Sequence, residues 1–199
     1  MISEASEFNK IKATVMRAVR LSERPPAFVF VPNYSVAAFV EFDQGLTAKF
    51  WRLAQSLASA ANDPNVFVLA LEPDAENYFH KEFGTYGALQ LSVNDTADSY
   101  VERLGEHPQG WPVDSLKYNS EYLVWASDSG RWLAWGSRGF SFIAVAFQND
   151  FSPSLSELAK QADITLFSRD AAVSSLILPS FQDATAAQTF VSEFRRNYL

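Results

Sequence analysis

With 199 residues, of which 48% are hydrophobic, 15% aromatic and 20% charged, the chain is too apolar for intrinsic disorder and long enough to bury roughly 70% of its unfolded surface in one core. A formal charge of −7 and a pI near 4.8 argue against a clamp for nucleic acid or anionic lipid, which needs clustered lysine and arginine; they favour a basic partner wherever the charge does more than maintain solubility. The lack of cysteine excludes disulfides, thiolate metal ligands and thiol nucleophiles, and two histidines are too few for a multi-histidine metal site, so neither metal nor cofactor is expected.

The first residues, Met1-Ile-Ser-Glu-Ala-Ser-Glu-Phe8, put acids where a secretory signal has a basic region and then an apolar run. No window holds the roughly 20 apolar residues of a membrane-spanning helix, so a cytoplasmic protein is expected. Phe8, Ile11, Val15 and Val19 recur at helical spacing, with Lys10, Lys12, Arg17 and Arg20 on the other faces, and the pattern stops before Pro25-Pro26. Glu4, Glu7 and Glu23 flank this basic face, which marks it as a solvated helix surface rather than a nucleic-acid contact. Residues 27–31 and 36–42 read as short strands. Leu46, Phe50, Leu53, Leu57 and Ala60 predict a helix over 47–61.

Residues 66–71 form an almost unbroken apolar run of strand length, as expected of an interior strand covered on both faces. Glu72-Pro-Asp74 then starts a helix with Asp74 as its cap and Gly84 as its end. Residues 86–93 return as a strand, and Asn94-Asp95 caps a short helix through Tyr100, Val101 and Leu104. An irregular loop over 105–119, with Pro108, Gly110 and Pro112 around Trp111, leads into the best-specified region. There, residues 122–147 form three aromatic and β-branched segments separated by Ser/Asp/Gly turn clusters, the pattern of a three-stranded antiparallel meander. Beyond it the chain is more helical. Ser152-Pro-Ser154 opens a helix with Leu155, Leu158, Ala159 and Ala162 inward, residues 164–167 suggest a last strand, and Asp183 or Thr185 starts a C-terminal helix. Ala187, Phe190, Val191 and Phe194 form that helix's apolar side, and Arg195 and Arg196 suit its C-terminal dipole. The expected class is α+β, a single domain over 1–199 whose antiparallel sheet is flanked by helices.

Three groups of residues invite a functional reading. Glu72, Asp74 and Glu76 gather carboxylates at a strand end, as a Mg²⁺ site or an acid/base pair would, although capping and the helix dipole account for two of them. His80 follows Glu76 by four residues, close enough on a helix for a carboxylate to orient an imidazole. Trp111, Trp125, Trp132, Trp135, Arg131 and Arg138 have the composition of a protein-interface hot spot, with burial beneath flanking helices as the competing reading. Trp132 and Trp135, three apart on one strand, cannot enter the same core. Gly136-Ser-Arg-Gly139 and Gly84-Thr-Tyr-Gly87 lack the lysine and third glycine of a phosphate loop and read as turns.

The run Ser129-Gly-Arg-Trp-Leu-Ala-Trp-Gly-Ser-Arg138, between two apolar segments, resembles a segment of bacterial immunity proteins from polymorphic-toxin and contact-inhibition systems. Glu72-Pro-Asp-Ala-Glu-Asn-Tyr78 ahead of Tyr86-Gly-Ala-Leu adds to the likeness. The resemblance implies a small protein that binds and neutralises a cognate toxin, here a basic one, without catalysis of its own. Two other classes remain open: a hydrolase or transferase built on Glu72, Asp74, Glu76 and His80, and a structural or regulatory subunit, including a homodimer through the meander edge.

Overall fold

The computed structural model describes residues 1–108 and 112–198, and in it the meander is part of a wider sheet. Strands β1 (Tyr34–Glu41), β2 (Asn65–Glu72), β3 (Ala88–Ser92), β4 (Tyr122–Ser127), β5 (Trp132–Ser137) and β6 (Phe142–Gln148) pair antiparallel in the order β1-β6-β5-β4-β2-β3. The α+β class and the antiparallel sheet flanked by helices are as expected. The meander β4-β5-β6 is extended by β1 beyond β6 and by β2 and β3 beyond β4. Both of its edges are therefore paired, and the meander edge invoked for a homodimer is not free.

The helices are α1 (Ala5–Met16), α2 (Ala48–Ala60), α3 (Lys81–Phe83), α4 (Ala97–Gly105), α5 (Leu116–Asn119), α6 (Leu155–Ala162), α7 (Arg169–Ala172) and α8 (Ala184–Asn197); wider π-helical turns at Ala75–His80 and Val173–Ile177 adjoin α3 and α7. They cover both faces of the sheet. Strand alternation sends Trp132, Ala134, Ile143 and Val145 to a core shared with Phe50 and Leu57 of α2, Tyr100 of α4 and Leu155 of α6. The intervening Leu133, Trp135, Phe142 and Ala144 meet Phe8 and Ile11 of α1, Val173 and Ile177, and Phe190 and Phe194 of α8. With helices on both faces, β5 is buried along its whole length and β2 is apolar from Val66 to Leu71 and buried from Val66 to Ala70, the expected interior strand.

Local signals differ from the outcome at several places, among them α5, which lies inside the expected irregular loop over 105–119, and α7 with the Val173–Ile177 turn, where no element was expected. Residues 27–31 contribute one bridge, Phe30 to Val19, with the Arg20 N–H donating to Val29 O at 2.8 Å. This run pairs with the turn that follows α1, because the helix stops at Met16 and leaves the Ala18 carbonyl free to accept from Val31 N at 2.9 Å. Residues 164–167 similarly yield a single bridge, Phe167 to Phe39 on the outer edge of β1. Thr96, not Asn94 or Asp95, caps α4 by accepting from Ser99 N, while the Asp95 carboxylate accepts from Ser92 N at 2.9 Å to close the preceding turn. Gly136, read as part of a turn, lies inside β5; Gly130, with φ of 70°, does occupy the first meander turn. The expected cap at Asp74 forms, its carboxylate accepting from Glu76 N at 2.9 Å and Asn77 N at 2.6 Å.

Candidate functional site

The acidic and imidazole group at the end of β2 does not assemble. Glu72 is exposed and lies 4.0 Å from Arg24 Nε. Asp74 is held by the two amides it caps. Glu76 turns to α1 and accepts from Lys12 Nζ at 2.8 Å. His80 stacks on Tyr86 with ring centroids 4.1 Å apart, and Tyr86 stacks on Phe8 at the same spacing. Among the described residues, no set of three or more His, Asp or Glu side chains gathers as a metal site. Glu76 and His80 instead tie the Ala75–His80 turn to α1 and to Tyr86, Asp74 caps that turn, and Glu72 faces Arg24.

The aromatic and arginine set divides differently. Trp132 and Trp135 are both fully buried, on opposite faces of the sheet, which corrects their assignment to a partner-binding surface. Trp135 stacks on Tyr122 with centroids 5.1 Å apart. Burial on both sides follows from helices covering both faces, which the strand pattern alone does not reveal. Arg138 is occupied within the fold: Nε donates to Ser120 O at 2.9 Å, Nη2 donates to Lys117 O at 2.7 Å, and the guanidinium lies 4.8 Å from the centre of the Phe42 ring. Arg131 keeps 42% of its side chain exposed, beside Phe151 and 3.9 Å from Asp150. Of the six, Trp125, Trp132 and Trp135 are buried, Arg131 and Arg138 are half-buried, and Trp111 lies outside the described residues.

Buried hydroxyls offer little reactivity. Burial pushes the phenols of Tyr100 and Tyr198 well above their ordinary range, so neither supplies a phenolate near neutral pH. Tyr100 instead donates to Gly45 O and accepts from Trp125 Nε1 at 2.9 Å, locking α4 to the sheet.

Two surface features stand out once the core is accounted for. Glu41, Asp43, Glu82, Asp98, Glu102 and Glu157 are exposed and form no ion pair among the described residues, and Asp98 and Glu102, four apart, line one side of α4. On the opposite layer, Pro26, Phe181, Asp183, Ala186, Thr189, Phe190 and Glu193 border a shallow depression of about 620 Å³ on the outer side of α8. The helical pattern that makes Phe190 a core residue conceals this depression. Its signal is Phe181, an aromatic just ahead of the α8 cap with no place in the helix periodicity.

Comparisons of this chain with protein-family models, with curated proteins and with solved structures return no match.

Proposed function

We propose that this chain is a non-enzymatic binding protein, an immunity protein that neutralises a basic bacterial toxin through shape and negative potential. The observation that carries this reading is the surplus of exposed acids without ion-pair partners, above all along α4, in a chain of formal charge −7. Unpaired surface carboxylates cost little in water and project a field beyond the surface, drawing a cationic partner into encounter. The resemblance of the 129–138 run to immunity proteins points the same way, as does the engagement of Glu72, Asp74, Glu76 and His80 in contacts that hold the fold.

The test is co-expression with a basic domain encoded beside this chain, followed by association kinetics across an ionic-strength series. Growth protection and a stable complex are expected, with the association rate falling by about tenfold or more between roughly 0.05 and 0.5 M salt. Two results count against the proposal: no complex at low salt, or a turnover that His80→Ala or Glu72→Ala abolishes while leaving the melting temperature unchanged.

A further inference from the structure

The depression on α8 combines an apolar floor with an acidic rim. Its floor is the outer boundary of a core: Phe190 is 8% exposed and packs against Phe140 and Phe181 with centroid distances of 4.5 and 5.2 Å. An aromatic platform continuous with a packed interior holds its shape before a partner arrives. Its walls are fixed as well. Asn197 Nδ2 donates to Pro26 O at 2.8 Å and Tyr198 Oη to Ala27 O at 3.0 Å, fastening the 24–27 loop to the end of α8. Asp183 anchors the other end by accepting from Ala186 N at 2.7 Å. A preformed groove avoids much of the ordering cost of association.

The rim decides what fits. Asp183 and Glu193 border the groove, both exposed and without an ion pair among the described residues, and no lysine or arginine lines it. A second copy docked about a twofold axis would set this acidic rim against the same acidic rim, an arrangement of like charges that opposes association. A cationic segment with an apolar side chain satisfies floor and rim together.

We propose that the groove between Pro26, Phe181 and the outer side of α8 docks a partner segment carrying an apolar side chain flanked by lysine or arginine. This rests on the binding reading above and assigns it a contact surface away from the acidic side of α4.

The probe is a labelled peptide, Lys-Lys-Leu-Phe-Lys-Lys, titrated into the full isotope-labelled chain and followed by amide chemical shifts and fluorescence anisotropy. Shifts are expected at Phe181, Ala186, Thr189, Phe190 and Glu193. Glu193→Lys and Thr189→Arg, both at exposed positions, should each weaken binding at least fivefold with unchanged circular dichroism, and a peptide with glutamate for lysine should not bind. The groove assignment is overturned by no binding, by shifts confined to α4, or by full affinity in both variants. A concentration-dependent dimer abolished by Thr189→Arg overturns it too, in favour of a second copy. The two proposals fail separately. A co-expressed toxin held equally by both variants removes only the groove; peptide binding at the groove with no toxin complex removes only the toxin-neutralising reading.

Discussion

Trp125 is the residue around which one core is built, and its surroundings explain two glycines, Gly45 and Gly136. A Cβ on Gly45 would lie 2.5 Å from Ile143 Cδ1 and 3.0 Å from Trp125 Cη2; one on Gly136 would lie 3.0 Å from Trp125 Cζ3 and from Phe42 Cε2. Neither glycine has a positive φ, so space, not backbone freedom, selects it. Gly45→Ala should therefore force the indole or Ile143 to shift and destabilise the fold by about 1–3 kcal/mol, read from the midpoint of urea unfolding. The polar edge of the same indole makes a second demand. Tyr100→Phe leaves Trp125 Nε1 without its acceptor and Gly45 O without its donor, both buried, and should cost about 2–4 kcal/mol in the same assay. An unchanged midpoint in Tyr100→Phe would show that this hydroxyl bridge contributes nothing net. The tryptophans of β5 carried an interface signal because composition cannot distinguish an aromatic packed under a helix from one offered to a partner; that difference lies in what covers each face.

The longer helices were the legible elements; the short helical pieces Leu116–Asn119, Arg169–Ala172 and Val173–Ile177 and the isolated strands were not. The apolar spacing of α2 and α8 is local, so Leu53, Leu57, Phe190 and Phe194 mark buried sides from their positions alone. Residues 27–31 and 164–167 are as apolar as true strands, but an apolar run reports burial and not pairing, and each finds a partner for one bridge only. The caps are local too, which is why Asp74 and Asp183 were readable. One inter-element tie was not: Lys49 at the start of α2 donates to Asp163, the C-cap of α6, at 2.5 Å. The hydrogen bond from Lys49, helped by its charge, holds the Asp163 carboxyl below its ordinary value. Such a depressed carboxylate contributes stability above its unfolded-state pKa, and loses that contribution as pH falls through the lower folded-state value. Because the side chain is mostly exposed, the effect belongs in a site-resolved titration rather than in a melting curve. Carboxyl ¹³C shifts of Asp163 should give a titration below that of an unpaired aspartate, moving back upward in Lys49→Met; an unmoved titration would remove this tie.

At the scale of the whole molecule, strand order was beyond reach of the sequence because β1 pairs with β6 and β4 with β2 across long stretches of chain, and nothing local records a partner so distant. The consequence is one sheet serving two cores. Ile11 of α1 and Leu57 of α2 are both buried, on opposite layers, with the sheet between them. If that sheet makes the chain one cooperative unit, a cavity on either side must lower the same transition. Ile11→Ala and Leu57→Ala should each destabilise by about 2–5 kcal/mol. The tryptophans make the comparison direct, since Trp51, Trp125 and Trp132 report on the α2 layer and Trp135 on the α1 layer. Unfolding followed by tryptophan fluorescence and by far-ultraviolet circular dichroism should remain coincident in both variants, shifted together. Separate transitions, with Leu57→Ala loosening the α2 layer while the α1 and α8 layer persists, would instead make each face its own unit. The groove on α8 belongs to the α1 layer, so a coincident transition also means that any occupant binding there stabilises the opposite layer by the same free energy, although it touches no residue of it.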